Sequence, residues 1–137
     1  MKLIIPVFIS GLMLFTSCSK EDTSTCNDLV VSNGSFEDRQ ESISNLSYED
    51  GILSMTITYN KCSVVHDFDL IWEGAFNESL PVQAGLIISD NNDPELCNAI
   101  GSDDYCFDIK PILDELESGE QVTLRFYQTD ERLTITK

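Results

Sequence analysis

The only histidine, His66, stands in Val64-Val65-His66-Asp67-Phe68-Asp69, where an imidazole among carboxylates could act as a general base or a metal ligand. Its neighbours point elsewhere. Alternation puts His66 on one face with Phe68, Leu70 and Trp72, and Asp67, Asp69 and Glu73 on the other. The ring is therefore expected in the core, holding a backbone carbonyl at a sheet corner. No Gly-x-Ser-x-Gly elbow supplies a nucleophile that His66 could activate. Asp90, Asn92 and Asp93, with Glu95 and Asp103-Asp104 as further donors, are the candidates for a calcium site. Pro94 and Glu95 fall where an EF-hand loop needs alternating ligands and glycine, and Asp, Asn and Pro are also what a plain turn requires. With 24 acidic residues in the chain, a carboxylate pair suited to glycoside hydrolysis carries no information. The expectation is no catalytic set, no cofactor and no enzyme.

The chain also has five cysteines, and Cys18 differs from the other four. Met1-Lys2 gives a positive start, Leu3 to Phe15 carries no charge, and Phe15-Thr16-Ser17-Cys18 follows. A charged start, an apolar run of about 7–15 residues and a small-residue cleavage site describe a secretory signal. The run is too short to span a bilayer, which takes roughly 20 residues. Phe15-Thr16-Ser17-Cys18 resembles a bacterial lipoprotein lipobox, with Phe15 in place of the usual leucine. The resemblance implies cleavage after Ser17 and acylation of Cys18. Each buried methylene adds roughly 0.8 kcal/mol, so two or three chains would hold the protein to a membrane almost permanently. Ser19 stands where an inner-membrane retention signal would place aspartate, which implies the outer membrane. Ser19-Lys20-Glu21-Asp22 is similar to the export tag of Bacteroidota surface lipoproteins, so both the periplasmic side and the cell surface stay open.

Four cysteines remain, Cys26, Cys62, Cys97 and Cys106. An even number in an exported chain reads as two disulfides, because the envelope is oxidising. No Cys-x-x-Cys pair exists, and spacings of 36, 35 and 9 suit no zinc module. A hairpin of residues 64–73 and 81–89 would bring Cys62 and Cys97 to one end. That favours Cys62–Cys97 with Cys26–Cys106, while Cys97–Cys106 as a short local staple stays open.

The elements that must position these residues are short strands. Leu53, Met55, Ile57 and Tyr59 alternate with polar residues, and Ile43-Leu46-Tyr48 precedes them through Glu49-Asp50-Gly51, a hairpin signal. Residues 82–88, 105–109, 122–126 and 133–135 repeat the pattern, and only Pro111 to Glu117 suggests a helix. The expected fold is all-β, an antiparallel β-sandwich of about seven or eight strands with one short helix and two disulfides. Residues 1–17 would be the signal, 18–27 an acylated tether and 28–137 one sandwich domain. The mature part resembles the small, uncharacterised β-rich lipoproteins of Bacteroidota, which implies location and fold class only.

Charge narrows the partners. The chain has a formal net charge of −16, and losing residues 1–17 removes Lys2 and no acid, giving −17. A polyanion is repelled by nucleic acid and by an anionic membrane surface, which argues against both as partners. The expected partners are a membrane, reached through the lipid anchor, and an envelope protein or glycan. The function expected is a non-catalytic binding or structural module. The alternative is a small envelope enzyme or enzyme inhibitor using His66 and carboxylates.

Overall fold

The computed structural model describes residues 25–34, 41–93 and 97–137. The elements are β1 (Asn27–Asp28), β2 (Val30–Val31), β3 (Ser42–Glu49), β4 (Ile52–Asn60), β5 (Phe68–Asn77), β6 (Val82–Asp90), β7 (Ile100–Asp108), α1 (Lys110–Asp114), β8 (Gln121–Phe126) and β9 (Arg132–Thr136). They form two sheets, one ordered β1-β7-β4-β3 and the other β2-β5-β6-β8-β9. The fold is the expected all-β sandwich with one short helix and two disulfides.

Alternation in sequence becomes alternation in burial. Leu53, Met55, Ile57 and Tyr59 on β4 face Phe68, Leu70 and Trp72 on β5 and Ala84, Leu86 and Ile88 on β6, all in one core. Phe107, Val122, Leu124, Phe126 and Ile135 complete it. The β3–β4 hairpin turns at Asp50-Gly51, where both residues take positive φ, +48° and +87°. That is the mirror-image turn whose twist matches the flanking strands, and glycine enters it without steric cost.

Not every pairing is antiparallel. β6 and β8 run parallel, as do β1 with β7 and β2 with β5. The cause is connectivity. After β6 the chain crosses to the other sheet as β7, and α1 carries it back, so β8 arrives beside β6 in the same direction. The helix is also shorter than Pro111–Glu117. It covers Lys110–Asp114, with Pro111 in its first turn and Ile112 and Leu116 sealing that end of the core.

The N-terminal segment spans both sheets. β1 pairs with β7, β2 pairs with β5, and the buried Leu29 between them fills the gap. Cys26 and Asn27, placed in the tether by sequence, belong to the sandwich: Cys26 is bonded to Cys106, and the Asn27 amide donates to the Phe68 carbonyl at 3.3 Å. Residues 1–24, including the signal and Cys18, lie outside the described residues, as do Pro94 and Glu95.

Candidate functional site

Two chain segments cross between the sheets at the same end of the molecule. Residues 61–67 lead from β4 to β5, and residues 91–99 lead from β6 to β7. The Cys62–Cys97 disulfide joins them, with Cα atoms 6.0 Å apart, and the second disulfide is Cys26–Cys106. Cys97 and Cys106 are thus not joined to each other. The hairpin that favoured this pairing is present, because β5 and β6 are antiparallel with Phe68 opposite Asp90.

His66 lies at this crossover end, immediately before β5. Its side chain is 3% exposed, and Nδ1 lies 2.7 Å from Oδ2 of Asp90, whose side chain is 7% exposed. The expected backbone carbonyl is therefore replaced by a carboxylate as the partner of this nitrogen. The reason is register: Asp90 ends β6 directly opposite the start of β5, so its side chain reaches the residue entering that strand. The ring packs 4.7 Å from Tyr59 and 6.2 Å from Phe68, centroid to centroid. The main chain of His66 is held as firmly. Its N–H donates to the Tyr59 hydroxyl at 3.2 Å, and the Tyr105 hydroxyl donates to its carbonyl at 2.8 Å.

Tyr59 passes the network outward. Its hydroxyl donates to Asp103 Oδ2 at 2.6 Å, and Lys61 Nζ donates to both oxygens of the same carboxylate at 2.8 and 2.9 Å. Gly101 makes this possible, because a Cβ there would sit 2.6 Å from the Lys61 stem. The Lys61 hydrogen bond first, and that from Tyr59 second, hold the Asp103 carboxyl below its usual range, while Asp103 raises Lys61. Burial pushes the Tyr105 phenol well above its ordinary value, so it stays a donor at neutral pH.

The calcium candidates are drawn into the same end. Asp90 Oδ1 accepts the Asn92 N–H at 2.9 Å, and Asn92 Oδ1 accepts the Asp67 N–H at 2.8 Å. The oxygens that a cation would need are thus directed at backbone donors within the crossover, while Asp93 is exposed. Among the described residues no group of three or more His, Cys, Asp or Glu side chains could hold a metal ion. Asp103 and Asp104 diverge as successive strand residues do: Asp103 meets Tyr59 and Lys61, and Asp104 accepts the Thr56 hydroxyl at 2.7 Å.

Two clefts open nearby without His66 in their lining. One, of about 570 Å³, opens on the outer face of the β1-β7-β4-β3 sheet, where Asn45, Ser54, Thr56 and Asp104 present polar groups. Asn45 donates to the Thr56 hydroxyl at 3.2 Å, so the lining is internally bonded. The other, of about 440 Å³, is lined by Thr25, Asp28, Asp67 and Asp69 among others. Neither brings an imidazole to a carboxylate. The sequence missed Tyr59, Lys61, Tyr105 and Asp103 as a group. The inward place of Tyr59 was readable from alternation, but its pairing with residues more than forty positions away was not.

No protein-family model matches the chain, and no curated protein matches it. Among solved structures, a protein described as a NigD-like immunity protein from Bacteroides caccae is similar with TM-score 0.57 at 8% identity, over 82% of this chain and 59% of that one. A protein described as toxin related, from Parabacteroides distasonis, gives 0.51 at 17% identity, over 82% and 59%. A protein of unknown function from Bacteroides vulgatus gives 0.55 at 15%, over 82% and 56%. This chain thus spans less than three-fifths of each of those structures, and what it shares with them is the fold.

Proposed function

We propose that the mature protein is a lipid-anchored outer-membrane lipoprotein whose sandwich serves as a non-catalytic binding or structural module. The observation that carries the non-catalytic part is the burial of His66 against Asp90. A general base needs access to the proton it removes. Here the one imidazole is enclosed by Tyr59, Phe68 and the crossover, and its geometry serves to join two sheets. Location rests on the lipobox-like Phe15-Thr16-Ser17-Cys18, supported by two disulfides, which persist in oxidising compartments. Fold similarity to proteins described as an immunity protein and as toxin related is in keeping with an envelope protein as partner.

The enzymatic alternative draws on one observation, the 2.7 Å His66–Asp90 contact, which has the form of a base and its orienting carboxylate. Burial of both side chains weighs against it.

The test has two arms. Cys18→Ala should abolish labelling by a fatty-acid analogue and leave the protein unprocessed or released from membranes; undiminished labelling would remove the anchor. A pull-down with native lipidated protein should then recover the same envelope partner from wild type and from His66→Gln. Loss of a measured turnover in His66→Gln, with folding intact, would replace the module by the enzyme.

A further inference from the structure

We infer that the crossover end of the sandwich, through Val64, Val65 and Ile100, rests on the lipid surface of the membrane that holds the anchor. This deepens the anchored reading above and depends on it.

Three of the exposed large apolar side chains gather at this end. Val64 and Val65 are 49% and 61% exposed within residues 61–67, and Ile100 is 74% exposed at the start of β7. The segments that carry them are joined at that end, because Asn60 pairs with Ile100, the Lys61 N–H donates to the Ala99 carbonyl at 3.0 Å, and Cys62 is bonded to Cys97. Ala99 is exposed beside them. Among the described residues the opposite end offers Leu80 alone, in the β5–β6 turn. Clustered apolar side chains on a rigid support mark a surface that something covers. The Cys62–Cys97 disulfide supplies the rigidity.

Chain direction identifies the occupant. β1 runs parallel to β7, with Asn27 beside Phe107 and Cys26 bonded to Cys106. β7 itself runs away from the crossover end, from Ile100 to Asp108. The chain therefore enters β1 from the crossover side, and Thr25 already lines a cleft with Asp67 of the crossover. Cys106 lies six residues along β7 from Ile100, about 20 Å at strand spacing. Eight residues separate Cys18 from Cys26, which span at most roughly 26–29 Å. An acylated Cys18 can thus pass the level of Ile100 by only about 10 Å. The bilayer can lie no farther from this end than that. An upright molecule then meets it with Val64, Val65 and Ile100.

Tryptophan scanning of the full lipidated protein tests this. Val65→Trp and Ile100→Trp report on the crossover end, Leu80→Trp reports on the other, and native Trp72 is 2% exposed and gives a constant background. Each protein is reconstituted into zwitterionic phospholipid vesicles with and without brominated acyl chains. Its lipid is verified by intact mass and its attachment by sedimentation with vesicles. Bromine should quench Val65→Trp and Ile100→Trp and leave Leu80→Trp unchanged. Lipidated, vesicle-bound protein with no quenching at either crossover position would overturn the inference and leave the anchor standing. A blue shift there without quenching would show protein, not lipid, covering the patch, and would also overturn it. Protein carrying no lipid would defeat the anchor and the inference together.

Discussion

The two ends of the sandwich are closed by different physics. At one end α1 and the residues on either side of it insert Ile109, Ile112 and Leu116, fully or nearly fully buried, into the core. At the other, two crossovers are tied by a disulfide, the His66–Asp90 contact and the Tyr59–Asp103–Lys61 chain. Apolar closure is tolerant of small rearrangement and indifferent to pH. Polar closure is directional, so each member depends on the others, and the removal of one strands its partner. The difference teaches where this fold is brittle: in the segment that enters β5, and not in its helix.

The largest effect should come from the disulfide of the brittle end. Its 35-residue separation corresponds to about 4 kcal/mol in the chain-entropy description. Cys62→Ser with Cys97→Ser should lower unfolding free energy by about that much, read by urea titration. A loss below about 1 kcal/mol would mean that the hydrogen-bonded network alone holds the crossovers. Ile112→Ala probes the other end and should cost about 2–4 kcal/mol through lost burial and a cavity. Its cost should be the same at pH 5 and pH 8. A pH-dependent cost would break the proposed division between the two ends.

That division also explains what was legible in the sequence. The helix was readable because Pro111 signals a start, although it stops at Asp114 and not at Glu117, and the burial of Ile112 and Leu116 emerged only in the fold. The strands were readable because alternation is local. Parallel pairing of β6 with β8 was not, since it depends on where β7 goes. At the crossover end the burial of His66 followed from its face, and the hairpin favoured Cys62–Cys97. Its partner did not follow. Asp90 looked like a turn or calcium residue because only the β5–β6 register brings it to His66. Tyr59 and Asp103 are 44 positions apart, and nothing in either residue names the other.

His66→Gln and His66→Ala come next in size. Either should lower unfolding free energy by about 1–3 kcal/mol, because Asp90 and the surrounding rings lose a buried partner. His66→Ala should be the worse, as it also leaves a cavity beside Tyr59 and Phe68. Melting curves with and without added divalent metal check this. An unchanged melting temperature in metal-free protein, joined to lost metal-dependent stabilisation, would turn the crossover end from a structural joint into a metal site.

The smallest effect should appear at the exposed rim of the same network, in the Lys61–Asp103 pair. Its side chains are 30% and 28% exposed, so solvent screens much of the attraction and the change will be modest. The sign is nonetheless determined. The Asp103 carboxyl titrates below its ordinary 3.8 in the folded state, chiefly because Lys61 donates to it. Stability from that group is present above the unfolded value and fades as pH falls through the folded one. Lys61 titrates above its ordinary 10.5 when folded, so its contribution is present below that value and fades as pH rises through the folded one. The pair should therefore stabilise a plateau between about pH 4 and 10 and lose strength on both flanks. Lys61→Met should lower stability on the plateau and narrow its gap to wild type at both extremes. Because many other carboxylates titrate in the same acid range, the quantity to measure is that difference, by urea titration at a series of pH values. Asp103→Asn and the double variant complete a cycle that isolates the pair. A difference that stays constant as pH falls from the plateau through the acid flank would show that Lys61 acts by packing across Gly101 and not through its charge, leaving Tyr59 as the group that ties Asp103 to the crossover.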